Sequence, residues 1–184
     1  MANKQTWLDE GLTVLAELGL TALRIDRLAE RLHLSKGSFY HHFAGITGFR
    51  LDLLAYYEAK CTTMYIDAVE THSHLGPSEK LSLLQDLVLR DDQFGPDIEV
   101  VMRAWAAQDD DARATQQRID ATRIGYLRSL LREMISDEQE ATDTASMIYL
   151  LLIGAQHVLP ATTSTELGRL YDLTLGRTGR KVIK

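Results

Sequence analysis

The 184-residue chain has few of the residues that break helices or build covalent frameworks. Three prolines in the whole length leave room for long uninterrupted helices. A single cysteine, Cys61, excludes a disulfide within the chain and suits a reducing compartment. Val, Ile and Thr do not fall in alternating runs, so strands find no support. The opening MANKQTWLDE lacks the apolar run of a signal peptide. The most apolar stretch, Ala145 to Ala155, is about half the roughly 20 residues a membrane span needs. These absences imply a soluble cytoplasmic protein. Gly-x-Ser-x-Gly is missing, as is a glycine-rich phosphate loop, and the carboxylates gather at helix starts where capping accounts for them. An enzyme is therefore not expected.

What is present is helical periodicity. Trp7, Leu8, Leu12, Leu15 and Ala16 share one face of a helix over about 4–18, which Gly19 stops. Thr21 is placed to cap the next helix, about 24–32, whose Ile25, Leu28, Ala29 and Leu32 form one apolar stripe. Ser35 reads as the N-cap of a third helix ending near His42, with Phe39 and Phe43 inward and Leu34 stapling the entry. Helix, tight turn and helix, with a supporting helix before them, make a helix-turn-helix. His33 stands where such turns often carry glycine, a place where a positive φ is tolerated at some cost. Longer helices follow at about 47–72, 78–91, 96–108, 110–135, 137–158 and 165–176, so the fold class is all-α.

The net charge of −6 looks wrong for a nucleic-acid binder until it is divided. Residues 1–50 hold six Lys/Arg against five Asp/Glu, and the remainder hold fourteen against twenty-one. Arg24, Arg27, Arg31, Lys36 and Arg50 fall close together, with His33, His41 and His42 among them. Screening confines such a potential to about 8–10 Å, so local charge is what counts. Arg24 and Arg27 either face DNA or pair with Glu30 and Glu17.

The block RIDRLAERLHLSKGSFYHHF, with a long helical body behind it, resembles the tetracycline repressor (TetR) family of transcriptional regulators over residues 8–55. That resemblance implies a DNA-binding head over residues 1–46 and a ligand-binding and dimerisation domain over 47–184. It implies a homodimer, usually a repressor, on a double-stranded DNA operator, with a small-molecule effector and no cofactor or metal. Carried over by position, Ser35 and Tyr40 match phosphate-contacting residues, Lys36, Gly37, Ser38 and His41 match residues that reach base edges, and His42 lies near the backbone. Chemistry agrees: Lys36 can donate to guanine O6 and N7, the hydroxyls suit phosphate oxygens, and Gly37 lets the backbone approach. There are departures. Ile46 replaces a phosphate-binding lysine at the start of the fourth helix, where Arg50 can substitute, and Leu23 replaces a threonine cap.

The stretch Ala145–Ala155, too apolar for a helix with one wet face, reads as the dimer interface, with Gly154 and Ala155 allowing close approach. An effector pocket is expected to draw on Tyr57, Met64, Met102, Trp105, Tyr126, Met147 and His157. His72-x-His74 is a metal pair without a third ligand. The competing class is a helical interaction or ligand-binding protein without DNA activity.

Overall fold

The computed structural model describes residues 3–90 and 98–178. These residues are all-helical, with no strand among them. In chain order the helices are α1 (Lys4–Leu18), a 3-10 turn (Leu20–Ala22), α2 (Ile25–Arg31), α3 (Lys36–His42) and α4 (Gly45–Glu58). A π-helical turn (Ala59–Thr63) leads into α5 (Met64–Glu70), followed by α6 (Pro77–Arg90), α7 (Ile98–Ala106), α8 (Asp110–Arg132), α9 (Glu138–His157) and α10 (Ser164–Thr178). The sequence-predicted helices are all present to within a few residues. The expected starting point of α7, near residue 96, lies outside the described residues.

The chain divides into two compact units, Met1–Cys61 with Asp92–Gln117, and Thr62–Asp91 with Arg118–Lys184. In the first, α1 packs against α2, α4 and α7. Its core is aromatic: Trp7, Phe39, Phe49 and Tyr57 are fully buried, as are Leu12, Leu15, Leu28 and Leu53. Each such side chain contributes about 1.5–3 kcal/mol when removed from water. At Gly11 α1 lies close against α4, since a Cβ there would lie 2.6 Å from Phe49 Cζ. Lys4 Nζ reaches Asp52 Oδ2 at 2.8 Å. The Tyr56 hydroxyl donates to Asp9 Oδ1 at 2.6 Å. Burial, then the Asp9 carboxylate, push that hydroxyl up to about 12, so it stays a donor.

In the second unit α9 packs on α10, α5 on α6 and α10 on α6. Leu81, Leu127, Leu130, Leu131, Ala141, Ala145, Ile148, Tyr149, Leu167 and Tyr171 form its core. The α9 start is capped by Asp137, which accepts from the Glu140 N–H at 2.8 Å. Thr163 and Glu166 form a reciprocal capping box at α10, the Glu166 N–H donating to Thr163 Oγ1 and the Thr163 N–H to Glu166 Oε2. The Tyr149 hydroxyl donates to Asp120 Oδ1 at 2.6 Å, tying α9 to α8. No helix among the described residues is long and apolar enough to cross a membrane.

Candidate nucleic-acid interface

The α2–α3 turn is built from its own backbone. The His33 N–H donates to Glu30 O at 3.1 Å and the Leu34 N–H to Ala29 O at 2.9 Å. These two bonds close the C-terminus of α2 in a Schellman motif, which needs a left-handed residue between them. His33 takes that place with φ 54°, as its position in the turn led us to expect. Ser35 then caps α3, its Oγ accepting the Ser38 N–H at 3.2 Å. Accepting that bond leaves the Ser35 hydroxyl free to donate its own proton elsewhere.

Capping of α2 differs from expectation. Thr21 lies in the 3-10 turn and caps nothing; the N-cap residue is Arg24, whose side chain makes no capping bond. Leu23, at the position where the family often has a threonine cap, is buried in the core at 1% exposure. A leucine cannot accept from an orphan N–H, and its apolar surface is better placed against other apolar groups.

Helix α3 has two distinct sides. Phe39 and Phe43 point inward. Phe39 meets Trp7 edge-on at 5.3 Å between ring centroids and Phe49 at 5.4 Å. Lys36, Gly37, Tyr40 and His41 are exposed, and their spacing of one and four residues places them on one face. Ser38 and His42 are half-buried at its margin, and the His41 and His42 rings lie 5.1 Å apart. Tyr40 is 60% exposed, an uneconomical place for an aromatic that only filled space.

The cations separate into two groups. Arg31 is bound to α1, its Nε to Glu10 and its Nη1 to Glu17 Oε2 at 2.7 Å. Glu17 first and Glu10 next hold its guanidinium more firmly protonated than usual. Glu17 is thereby taken by Arg31, not by Arg24 or Arg27, both of which are exposed and make no ion pair among the described residues. Lys36 Nζ pairs with Asp26 on α2, and that hydrogen bond raises the lysine pKa.

An open groove of about 340 Å³ runs along this surface, lined by Leu23, Arg24, Ile25, Asp26, Lys36, Tyr40, Ile46 and Arg50. Three cationic side chains and a phenolic hydroxyl thus border one concavity. Ile46 contributes only apolar wall. Arg50 stands one turn further along α4, and its Nε is buried without a hydrogen-bond partner. Sequence reasoning named Arg50 as a substitute cation but not its sharing of a groove with Arg24 and Tyr40. Asp26 was missed altogether: it reads only as one of several polar residues on the outer side of α2.

The residues expected to line an effector pocket are divided between the two units. Tyr57, Met102 and Trp105 are buried in the first unit. Met64 and Met147 are 51% and 46% exposed, and His157 is exposed with its Nδ1 hydrogen-bonded to Ile153 O at 2.8 Å. These three face solvent in the single chain, because helical periodicity assigns a face without saying what covers it. Tyr126 is half-buried and donates to Glu70 Oε1 at 2.6 Å. His72 and His74 are exposed, with ring centroids 6.2 Å apart, and no group of three metal-ligating side chains occurs among the described residues. Cys61 is a buried thiol outside any disulfide.

Comparison with known proteins agrees with the head. Residues 8–52 match the family model for bacterial regulatory proteins, tetR family. The fold as a whole is similar to regulatory protein TetR from Rhodobacter sphaeroides, at 21% identity over 95% of this chain and 97% of that one, with a TM-score of 0.74. A transcriptional regulator from Rhodococcus sp. Rha1 is similar over 100% of both chains at 17% identity and a TM-score of 0.77. The reduced form of E. coli NemR is similar at 20% identity over 94% of this chain and 95% of that one, with a TM-score of 0.74. No curated protein sequence matches the chain. The match over residues 8–52 shows a tetR-type helix-turn-helix in that part of the chain, and the solved structures, all under 25% identical, show that the chain as a whole shares their all-helical fold.

Proposed function

We propose that the chain is a cytoplasmic repressor that binds a near-palindromic operator as a homodimer and is released by a small-molecule effector. Residues 1–46 act as the reading head and residues 47–184 as the effector-binding and dimerisation domain. The observation that carries the reading is the division of α3, with Phe39 locked in the core and Lys36, Tyr40 and His41 presented to solvent. A helix held rigidly on one side and cationic on the other suits a major groove about 12 Å wide. In this reading Lys36, Gly37, Ser38 and His41 approach base edges, while Arg24, Arg27, Ser35, Tyr40 and His42 hold the backbone. Arg50, in the groove with Arg24 and Tyr40, supplies the phosphate contact that Ile46 cannot.

A second copy of the chain is supported by α9. Met147, Leu150 and Gly154 are exposed at spacings of three and four residues, and Leu150 is 67% exposed. Leu173 on α10 adds to the exposed apolar surface. A twin stripe related by a two-fold axis would cover them. Two heads of such a dimer meet successive major-groove faces about 34–36 Å apart. For the effector, Tyr57, Met102 and Trp105 are the strongest candidates: they are buried near the ends of α4 and α7, and the Trp105 Nε1 donor has no hydrogen-bond partner. An effector acts by preferring the conformer whose heads misfit the operator.

Selection of duplexes from a random pool by the full-length protein tests head and dimer together. The expected product is an inverted repeat bound in a salt-dependent way. Recovery of no enriched sequence, with a folded dimer in hand, would leave a helical interaction protein as the better reading.

A further inference from the structure

One charge on the reading face has the wrong sign for its surroundings. Asp26 sits in the first turn of α2, exposed, and borders the same groove as Arg24, Lys36, Tyr40 and Arg50. A carboxylate there repels phosphate, and within the roughly 8–10 Å screening length nothing else in the groove shares that sign. Its carboxylate is bonded to Lys36, the lysine placed to reach base edges. The side chains are 62% exposed for Lys36 and 76% for Asp26. Ion pairs this exposed are weakly held and exchange partners readily.

We propose that Asp26 is a specificity-determining residue, holding Lys36 in the free head and yielding it only to DNA that offers a better acceptor at that point. The inference rests on the reading of α3 as the DNA-contacting helix. On a matching operator, Lys36 leaves the carboxylate for a base-edge acceptor pair such as guanine O6 and N7, and the gain offsets the loss of the ion pair. On unrelated DNA no such acceptor is in reach. Lys36 then stays on Asp26, the head presents one cation fewer, and the carboxylate adds repulsion against the nearest phosphate. Asp26 therefore weakens non-specific binding more than operator binding, which is how a repulsive element raises discrimination. Arg24 and Arg50 bear on the same groove but carry no paired carboxylate among the described residues, so they attract any sequence equally.

The test uses the full-length protein with Asp26→Asn, Asp26→Ser and Lys36→Ala, on the duplex selected by the wild type and on a scrambled duplex of equal length. Both aspartate variants are expected to bind scrambled DNA roughly three- to tenfold more tightly. Their salt dependence on it should steepen by up to about one unit of slope. Operator binding should change less, so the operator-to-scrambled ratio falls. Asparagine keeps the size of the side chain and serine shortens it, so agreement between two variants of different shape separates charge from a local folding defect. A ratio that stays level or rises in both variants overturns the role of Asp26 while leaving the DNA-reading assignment intact. Failure of the wild type to bind any selected duplex, or undiminished operator binding by Lys36→Ala, removes the underlying reading and the inference with it.

Discussion

Trp7 of α1 and Phe39 of α3 meet edge to face, with ring centroids 5.3 Å apart and an interplanar angle of 82°. Both side chains are at 0% exposure. This contact joins α1 to α3 and braces the helix that carries the exposed Lys36, Tyr40 and His41. Phe39→Ala and Trp7→Ala should each destabilise the first unit by about 3–5 kcal/mol, as large buried aromatics do when truncated. Urea denaturation followed by far-ultraviolet circular dichroism measures this; a loss below about 1 kcal/mol would mean the contact does not brace α3.

His33 is the second point. It occupies the left-handed position of the α2–α3 turn at φ 54°, where a side chain costs about 1–2 kcal/mol relative to glycine. Part of that is returned in the unfolded chain, which glycine makes more flexible. His33→Gly should therefore raise stability by up to about 1 kcal/mol, and His33→Val should lower it. Thermal melts of the two variants decide the matter, and a stabilised valine variant would rule out the strain.

Gly11 gives a prediction of opposite sign. A methyl group there meets Phe49 Cζ at 2.6 Å and Leu53 Cδ1 at 3.0 Å. Alanine ordinarily favours a helix interior by about 1 kcal/mol over glycine. Here overpacking should win, for a net loss of about 1–3 kcal/mol. An unchanged or higher midpoint for Gly11→Ala would show that α1 and α4 separate freely.

The legible part of this molecule was the local part. The Ser35 cap, the His33 turn and the inward Phe39 and Phe43 each follow from residues within a few positions of one another, and short-range backbone chemistry sets them. Contacts between helices were not legible. Arg31 takes Glu10 and Glu17 from α1, fourteen or more positions away, and Lys36 takes Asp26 across the turn. Many carboxylates could have served, and only the packing angle selects among them. Leu23, which stands where the family often has a threonine cap, lies inward because a side chain with no polar atom gains more in the core. The expected effector residues were chosen by type, and type does not distinguish Trp105, which is buried, from Met147, which is not.

Glu70 carries the pH prediction. Its Oε2 accepts from Lys80 Nζ at 2.5 Å and its Oε1 from the Tyr126 hydroxyl at 2.6 Å. Lys80 first, then Tyr126, hold the carboxyl below its ordinary value. A carboxylate lowered in the folded state stabilises above its unfolded pKa, and the contribution fades as pH falls through the folded value. The side chain is 44% exposed, so screening keeps the effect under about 1 kcal/mol. Glu70→Gln should be slightly less stable than the wild type at neutral pH, and the two should converge in acid. A difference that grows on acidification would contradict the pairing.

The most direct measurement is a mobility shift on the selected duplex with Lys36→Ala and Tyr40→Ala, each first shown to be folded and of wild-type oligomeric state. Both side chains are exposed, so neither change should disturb the core. Binding at least about tenfold weaker in each variant is the expected result; wild-type binding in both would contradict a DNA-reading role for α3.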